Sequence, residues 1–190
     1  MARVGLRNLH AAKLLTDTET ETTYGEIRKL PPAVTANVTP NVETAELHGD
    51  DMLQEVEENL SGVDVEISAT DLPLEDYAFL LGKTVDANGG VSDGEEVAPY
   101  LALGYEMPLS GGRGSRMVWL YKGKFSIPTE EAATKQGSVE FQNASISGKF
   151  MKRLSDKNWR YRVESNETNQ AVISSWFTAV QKEPDATETP

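Results

Sequence analysis

Five consecutive residues, Met-Val-Trp-Leu-Tyr at 117–121, constrain the fold more than any other stretch. Side chains alternate across a strand, so Met117, Trp119 and Tyr121 share one face and Val118 and Leu120 the other; both faces are apolar. Such a strand must be covered on both sides, for instance by a sheet on one and a helix on the other. Core packing is the default role of all five residues. Lys122 and Lys124 lie beyond the covered part, share a face and are expected to be free to meet carboxylates.

The pattern elsewhere is also β. The stretches 34–40 and 63–69 alternate apolar and polar residues with β-branched enrichment, as half-buried strands do. Further strands are expected over 43–49, 98–106, 117–125, 138–142, 145–153 and 159–165, and nothing repeats at a fixed period. About eight short strands with few helices point to a sandwich or barrel.

Two helices interrupt this series. In 72–81 a compact helix is predicted, capped by Asp71, with Glu75 and Asp76 early, Leu74, Tyr77, Ala78 and Leu81 on one face, and Gly82 as a left-handed stop. It is the natural lid over the 117–121 strand. Near the C-terminus Ile173, Trp176, Phe177 and Val180 fall at helical spacing, so a short helix is predicted there, with a strand as the competing assignment.

The chain has 190 residues, enough for one core that buries about 70% of the unfolded surface. One domain is expected over 1–182, with 1–14 as an N-terminal arm and 183–190 as a disordered polar tail. Cysteine is absent, which removes disulfides, thiolate metal sites and cysteine nucleophiles. The first fifteen residues lack the apolar core of a signal peptide and no segment reaches the length of a membrane helix, so synthesis in the cytoplasm and no membrane contact are expected. The Asn-x-Ser/Thr triplets at Asn37, Asn59, Asn143 and Asn166 are read as chance.

Catalytic chemistry has little to stand on. His10 and His48, the two histidines, sit on separate segments without a neighbouring carboxylate-histidine spacing, which disfavours a metal site or a serine-histidine relay. The acids of 49–64 lack the spacing of a calcium loop, and the Gly/Arg loop 110–116 precedes a strand instead of opening a helix, so it makes no phosphate cradle. A non-enzyme without cofactor is expected.

Charge is the most informative feature that remains. The net charge of −12 disfavours general nucleic-acid binding. Residues 41–100 carry sixteen acidic side chains against one lysine, whereas 101–162 carry eleven basic against five acidic. Either the two regions neutralise each other inside one fold, or acidic and basic surfaces meet between copies. Complementary, non-identical patches make head-to-tail contacts that close into rings or propagate.

Several stretches in order over about 4–180 resemble the major tail protein of long-tailed, non-contractile bacteriophages: VGLRNLH, ANVTPNVETAELHGDD, ATDLPLEDYAFLLGKT, VAPYLALGYE, MVWLYKGKFSIPTEEAATKQGSVEFQNASISGKF and ISSWFTAV. The 119–125 run and the segment through 142 are the most specific. The resemblance implies a tail-tube-type β-sandwich or barrel with a flanking helix, shared with the tube proteins of contractile tails and type VI secretion. It implies hexameric rings whose hairpins join into an inner barrel, stacked into a hollow tube in the virion. The implied partners are further copies of the chain and the tape measure, tail tip and tail terminator proteins, with phage DNA passing through unbound by sequence. The region 52–59 and the C-terminus depart from the family pattern.

Within that reading the strands around 33–69 are expected to form the inner wall. Glu43, Glu46, Glu55, Glu57, Glu58, Asp64 and Glu66 are candidate lumen acids, of which alternation lets only one parity of each run face the channel. Arg113, Arg116, Lys122, Lys124, Lys149, Lys152 and Arg153 are candidate contacts to the acidic segment of a neighbour. The alternative is a carbohydrate-binding or adhesion β-sandwich, which would expose Trp119, Trp159 or Trp176 as stacking platforms.

Overall fold

The computed structural model describes residues 4–49, 52–112, 114–129 and 143–184. The strand expected over 138–142, residue Arg113 and most of the expected polar tail lie outside these. Among the described residues the chain is mostly β: eight strands in one antiparallel sheet, with two short helices. The strands are β1 (Arg7–Asp17), β2 (Thr22–Lys29), β3 (Ala33–Gly49), β4 (Met52–Ala69), β5 (Leu101–Pro108), β6 (Ser115–Phe125), β7 (Ala144–Met151) and β8 (Arg160–Glu164). The helices are α1 (Leu74–Leu81) and α2 (Gln170–Ser174).

The strand order is β2-β1-β5-β6-β7-β4-β3. β6 holds three partners: β5 along one edge, and on the other β8 against residues 116–120 and β7 against 122–125. The sheet therefore divides at β6. Its concave face curls around one core built from Leu9 and Ala11, from Val63, Val65 and Ile67, from Leu101, Leu103 and Tyr105, and from Val118, Leu120, Phe125, Ile146 and Phe150. Helix α1 closes this core with Tyr77, Leu80 and Leu81, as the lid expected for one face of the 117–121 run.

The other face of β6 carries Met117, Trp119 and Tyr121, which form a second core with Ala102 and Trp176. Its cover is the C-terminal segment, with Ile173, Phe177 and Val180 packed alongside. The predicted apolar stripe thus faces the sheet, although α2 ends at Ser174 and Trp176 follows it in a turn. The Trp119 indole N–H donates to the Trp176 carbonyl at 3.1 Å, Tyr161 stacks on Trp176 at 5.6 Å, and His10 stacks on Phe177 at 4.1 Å. Burying one large apolar side chain of this kind contributes about 1.5–3 kcal/mol.

Several sequence expectations are corrected. Residues 7–14 are not an arm: they belong to β1, which pairs with β2 on one edge and β5 on the other. Isolated apolar residues among polar ones hid this strand, and bulges around Asn8, which adopts φ 54°, break its alternation. The separate strands 34–40 and 43–49 are one, β3, and the strand expected over 63–69 begins earlier, so that β4 runs from Met52 to Ala69. Helix α1 starts after Pro73, not Asp71; the Asp71 carboxylate instead accepts the Leu72 N–H at 2.8 Å. Leu74 is exposed and Leu80 takes its place in the core, while Gly82 is the left-handed stop at φ 72°.

Close approach of the two central strands requires glycine at 104. It pairs with Trp119, and a Cβ there would lie 2.7 Å from the indole ring. Gly104→Ala is therefore expected to lower the unfolding free energy by about 1–3 kcal/mol through overpacking. Denaturant titration checks this; a variant as stable as the parent would contradict the packing described.

Candidate functional site

Val63 of β4 pairs with Phe150 near the end of β7, and beyond that point β4 has β3 as its sole partner among the described residues. Residues 42–48 and 52–59 are all exposed, so the two strands leave the core as a ribbon that projects by about 25 Å at the rise of an extended chain. A two-stranded ribbon alone in water is marginally stable, and both of its backbone edges are open. β3 is a sheet edge throughout, which accommodates Pro40 within it.

The register sorts the acids onto two faces. Directly opposite residues share a face, and the pairs Asn37↔Glu66, Thr39↔Asp64, Glu43↔Asn59, Ala45↔Glu57 and Leu47↔Glu55 follow one parity of β3. A bulge between Asn41 and Val42 omits Ser61 from pairing and keeps the two strands in phase beyond it. Glu43, Glu55, Glu57, Asp64 and Glu66 therefore line the outward face, where the Asn41 amide donates to Asp64 at 2.7 Å. Glu46 and Glu58 lie on the coreward face, beside Val42, Leu53, Val56 and Leu60. A shallow open depression on the outward face is lined by Asn37, Thr39, Asp64, Glu66, Ser126, Ser147 and Lys149.

The basic candidates fare differently. Lys122 is not free: its ammonium reaches the Asp17 carboxylate at 2.6 Å, with side-chain exposures of 11% and 6%. Lys124 lies over the Tyr100 ring at 4.3 Å, which Lys122 also faces. Arg153 is buried against Asp156 and sits 3.4 Å from the centre of the Tyr121 ring. Arg116 pairs with Glu164 of β8. Lys149, 3.8 Å from Asp64, and Lys152 are exposed. Thus Lys122 and Arg153 are spent inside the chain, because β1, which was not anticipated, brings Asp17 beside Lys122 and the turn after β7 brings Asp156 beside Arg153, while Arg116 is taken by Glu164 of β8.

Charged residues outside the candidate sets hold the fold. Glu106 is buried and accepts from Arg7 and Asn8, both at 2.6 Å, and from Ser115. Lys83 reaches Glu96 at 2.7 Å and ties the 85–97 loop to α1, while Arg28 reaches Asp76 at 2.6 Å and ties the helix to β2. Arg160 and Arg162 have no carboxylate partner among the described residues. The Arg-Tyr-Arg alternation was visible in the sequence as a signal that both arginines share a face of the 159–165 strand. Among the described residues no group of three or more His, Asp or Glu side chains is placed to hold a metal ion. Comparison with known protein families and with curated proteins returns no match.

Burial alone would raise the Asp17 carboxyl, but hydrogen bonds from Lys122, the Leu154 N–H and Thr22 outweigh it and hold it below the ordinary carboxylate value. A lowered folded value means that the unfolded chain binds more protons as pH falls. The contribution is present above the ordinary carboxylate range and is lost as pH drops through the lowered value. Asp17→Asn is expected to cost about 3–5 kcal/mol at neutral pH by leaving the Lys122 ammonium unpaired, and progressively less in acid. Urea unfolding at a series of pH values checks this; a pH-independent cost would contradict the pairing.

Proposed function

We propose that this chain is a structural subunit of a phage tail tube, assembling with copies of itself into stacked hexameric rings around a channel for DNA. The observation that carries the reading is the projecting β3–β4 ribbon. Its open edges and half-apolar coreward face need cover, and a shared barrel formed by neighbouring ribbons would supply it. The stretches that resemble tail tube proteins, the β3 half of this ribbon among them, support the same reading, although 52–59 in its β4 half departs from the family pattern.

The alternative of a sugar-binding module loses its platforms. Trp119 and Trp176 are fully buried, and Trp159 is half-buried beneath Arg160. On the tube reading, the outward acids Glu43, Glu55, Glu57, Asp64 and Glu66 face the channel. Duplex DNA carries about one negative charge per 1.7 Å of axis, so a basic wall would hold it at every ring, whereas an acidic wall keeps it moving.

Electron microscopy of the purified chain is expected to show rings or tubes. Replacing residues 43–59 by Asn-Gly, so that the opposed pair Val42 and Leu60 closes as a tight hairpin, removes no buried side chain among the described residues. That variant is expected to remain a folded monomer; rings formed without the ribbon would exclude it from the assembly. Lysine at the five outward acids is expected to permit tube formation and slow genome ejection, and ejection at the parental rate would assign the acidity another role.

A further inference from the structure

β8 places Arg160 opposite Leu120 and Arg162 opposite Val118, on the coreward face of β6 where the sheet divides. Arg116 belongs to the same face and pairs with Glu164 opposite it, so the carboxylate that β8 brings to this row is already taken. Arg160 is half-buried, with its guanidinium 4.1 Å from the centre of the Trp159 ring. Burial, then the charge of Arg162 and, less strongly, that of Arg116 push it below its ordinary value against a smaller opposing influence of Tyr105, and among the described residues no carboxylate pairs with it. Partly desolvated like charges without a counterion are costly, so this face wants an anion. Among the described residues β8 pairs with β6 alone, and no described strand covers its outer edge.

The coreward face of the ribbon has the converse need. Val42, Leu53 and Val56 are exposed there, and Glu46 and Glu58 sit among them. Covering the apolar residues would strip water from both carboxylates, of which Glu46 has His48 at 4.0 Å, a cation only when protonated, and Glu58 has no ion pair among the described residues, so both favour added cations.

Resting on the reading of the chain as a self-assembling subunit, we infer that the coreward face of one copy's ribbon docks at β8 of the next, with Glu46 and Glu58 paired to Arg160 and Arg162. The chain's own ribbon does not fill this role, since no ion pair joins them among the described residues. A foreign polyanion such as nucleic acid is repelled by the net charge of −12, whereas a second copy supplies carboxylates on a projecting arm. The two patches are not identical, so the contact is head-to-tail and closes into a ring or propagates. The other five acids stay uncovered on the opposite face, so assembly and channel lining use different members of one acidic segment.

Charge exchange tests this. In parental chain shown to assemble, Arg160→Glu with Arg162→Glu is expected to raise the concentration needed for assembly at least about tenfold, as is Glu46→Lys with Glu58→Lys. The four substitutions combined in one chain should restore assembly and its original loss in high salt. Arg162→Glu alone, at an exposed position, and Arg160→Gln guard against misfolding, with circular dichroism confirming a native sheet. Assembly unimpaired by either pair, or impaired by both without rescue, overturns the pairing while leaving the self-assembly reading intact. A parental chain that stays monomeric under all conditions removes both.

Discussion

The contact of the Trp119 indole with the bare backbone of Gly104 organises the structure. It lets β5 and β6 pair closely while a large ring lies across them, and that ring forms the floor on which the C-terminal segment sits. With Trp119 on one face and Val118 and Leu120 on the other, β6 is buried on both sides and becomes the strand where two cores meet. Three partner strands share it, so the direction of every other strand follows from its position.

The division of the sheet at β6 has two consequences at the surface. β8 occupies the edge next to residues 116–120, so β7 stops at Met151 and β4 runs on past it with support from β3 alone among the described residues. The same event leaves Arg160 and Arg162 facing coreward with no carboxylate partner among the described residues. An acidic, half-apolar arm and an unpaired basic face thus arise together, from one topological feature, within one chain. These are the two features on which the proposed pairing of one copy with the next rests.

Much of this was legible in the sequence, for particular reasons. Apolar–polar alternation gave the first part of β3 and the last part of β4, the run 117–121 that is apolar on both faces gave β6, and the compact apolar face with its glycine stop gave α1. The strand β1 was hidden because bulges at Asn8 and beyond disturb its alternation. The ribbon was partly hidden because both of its faces carry acids, so residues 52–59 show no buried parity until a register is known. Which lysines and arginines are free could not be read at all. Lys122 and Arg153 meet Asp17 and Asp156 through long-range packing, and no local pattern announces such pairs.

The central claim is that the 42–60 ribbon is built to be covered by another copy. Amide hydrogen exchange, measured on dilute subunit and on the assembled material, addresses it most directly. The ribbon amides are expected to exchange rapidly in the monomer, where two strands stand alone, and to become protected on assembly, while β5 and β6 remain protected in both. Equal exchange of the ribbon before and after assembly would contradict the account.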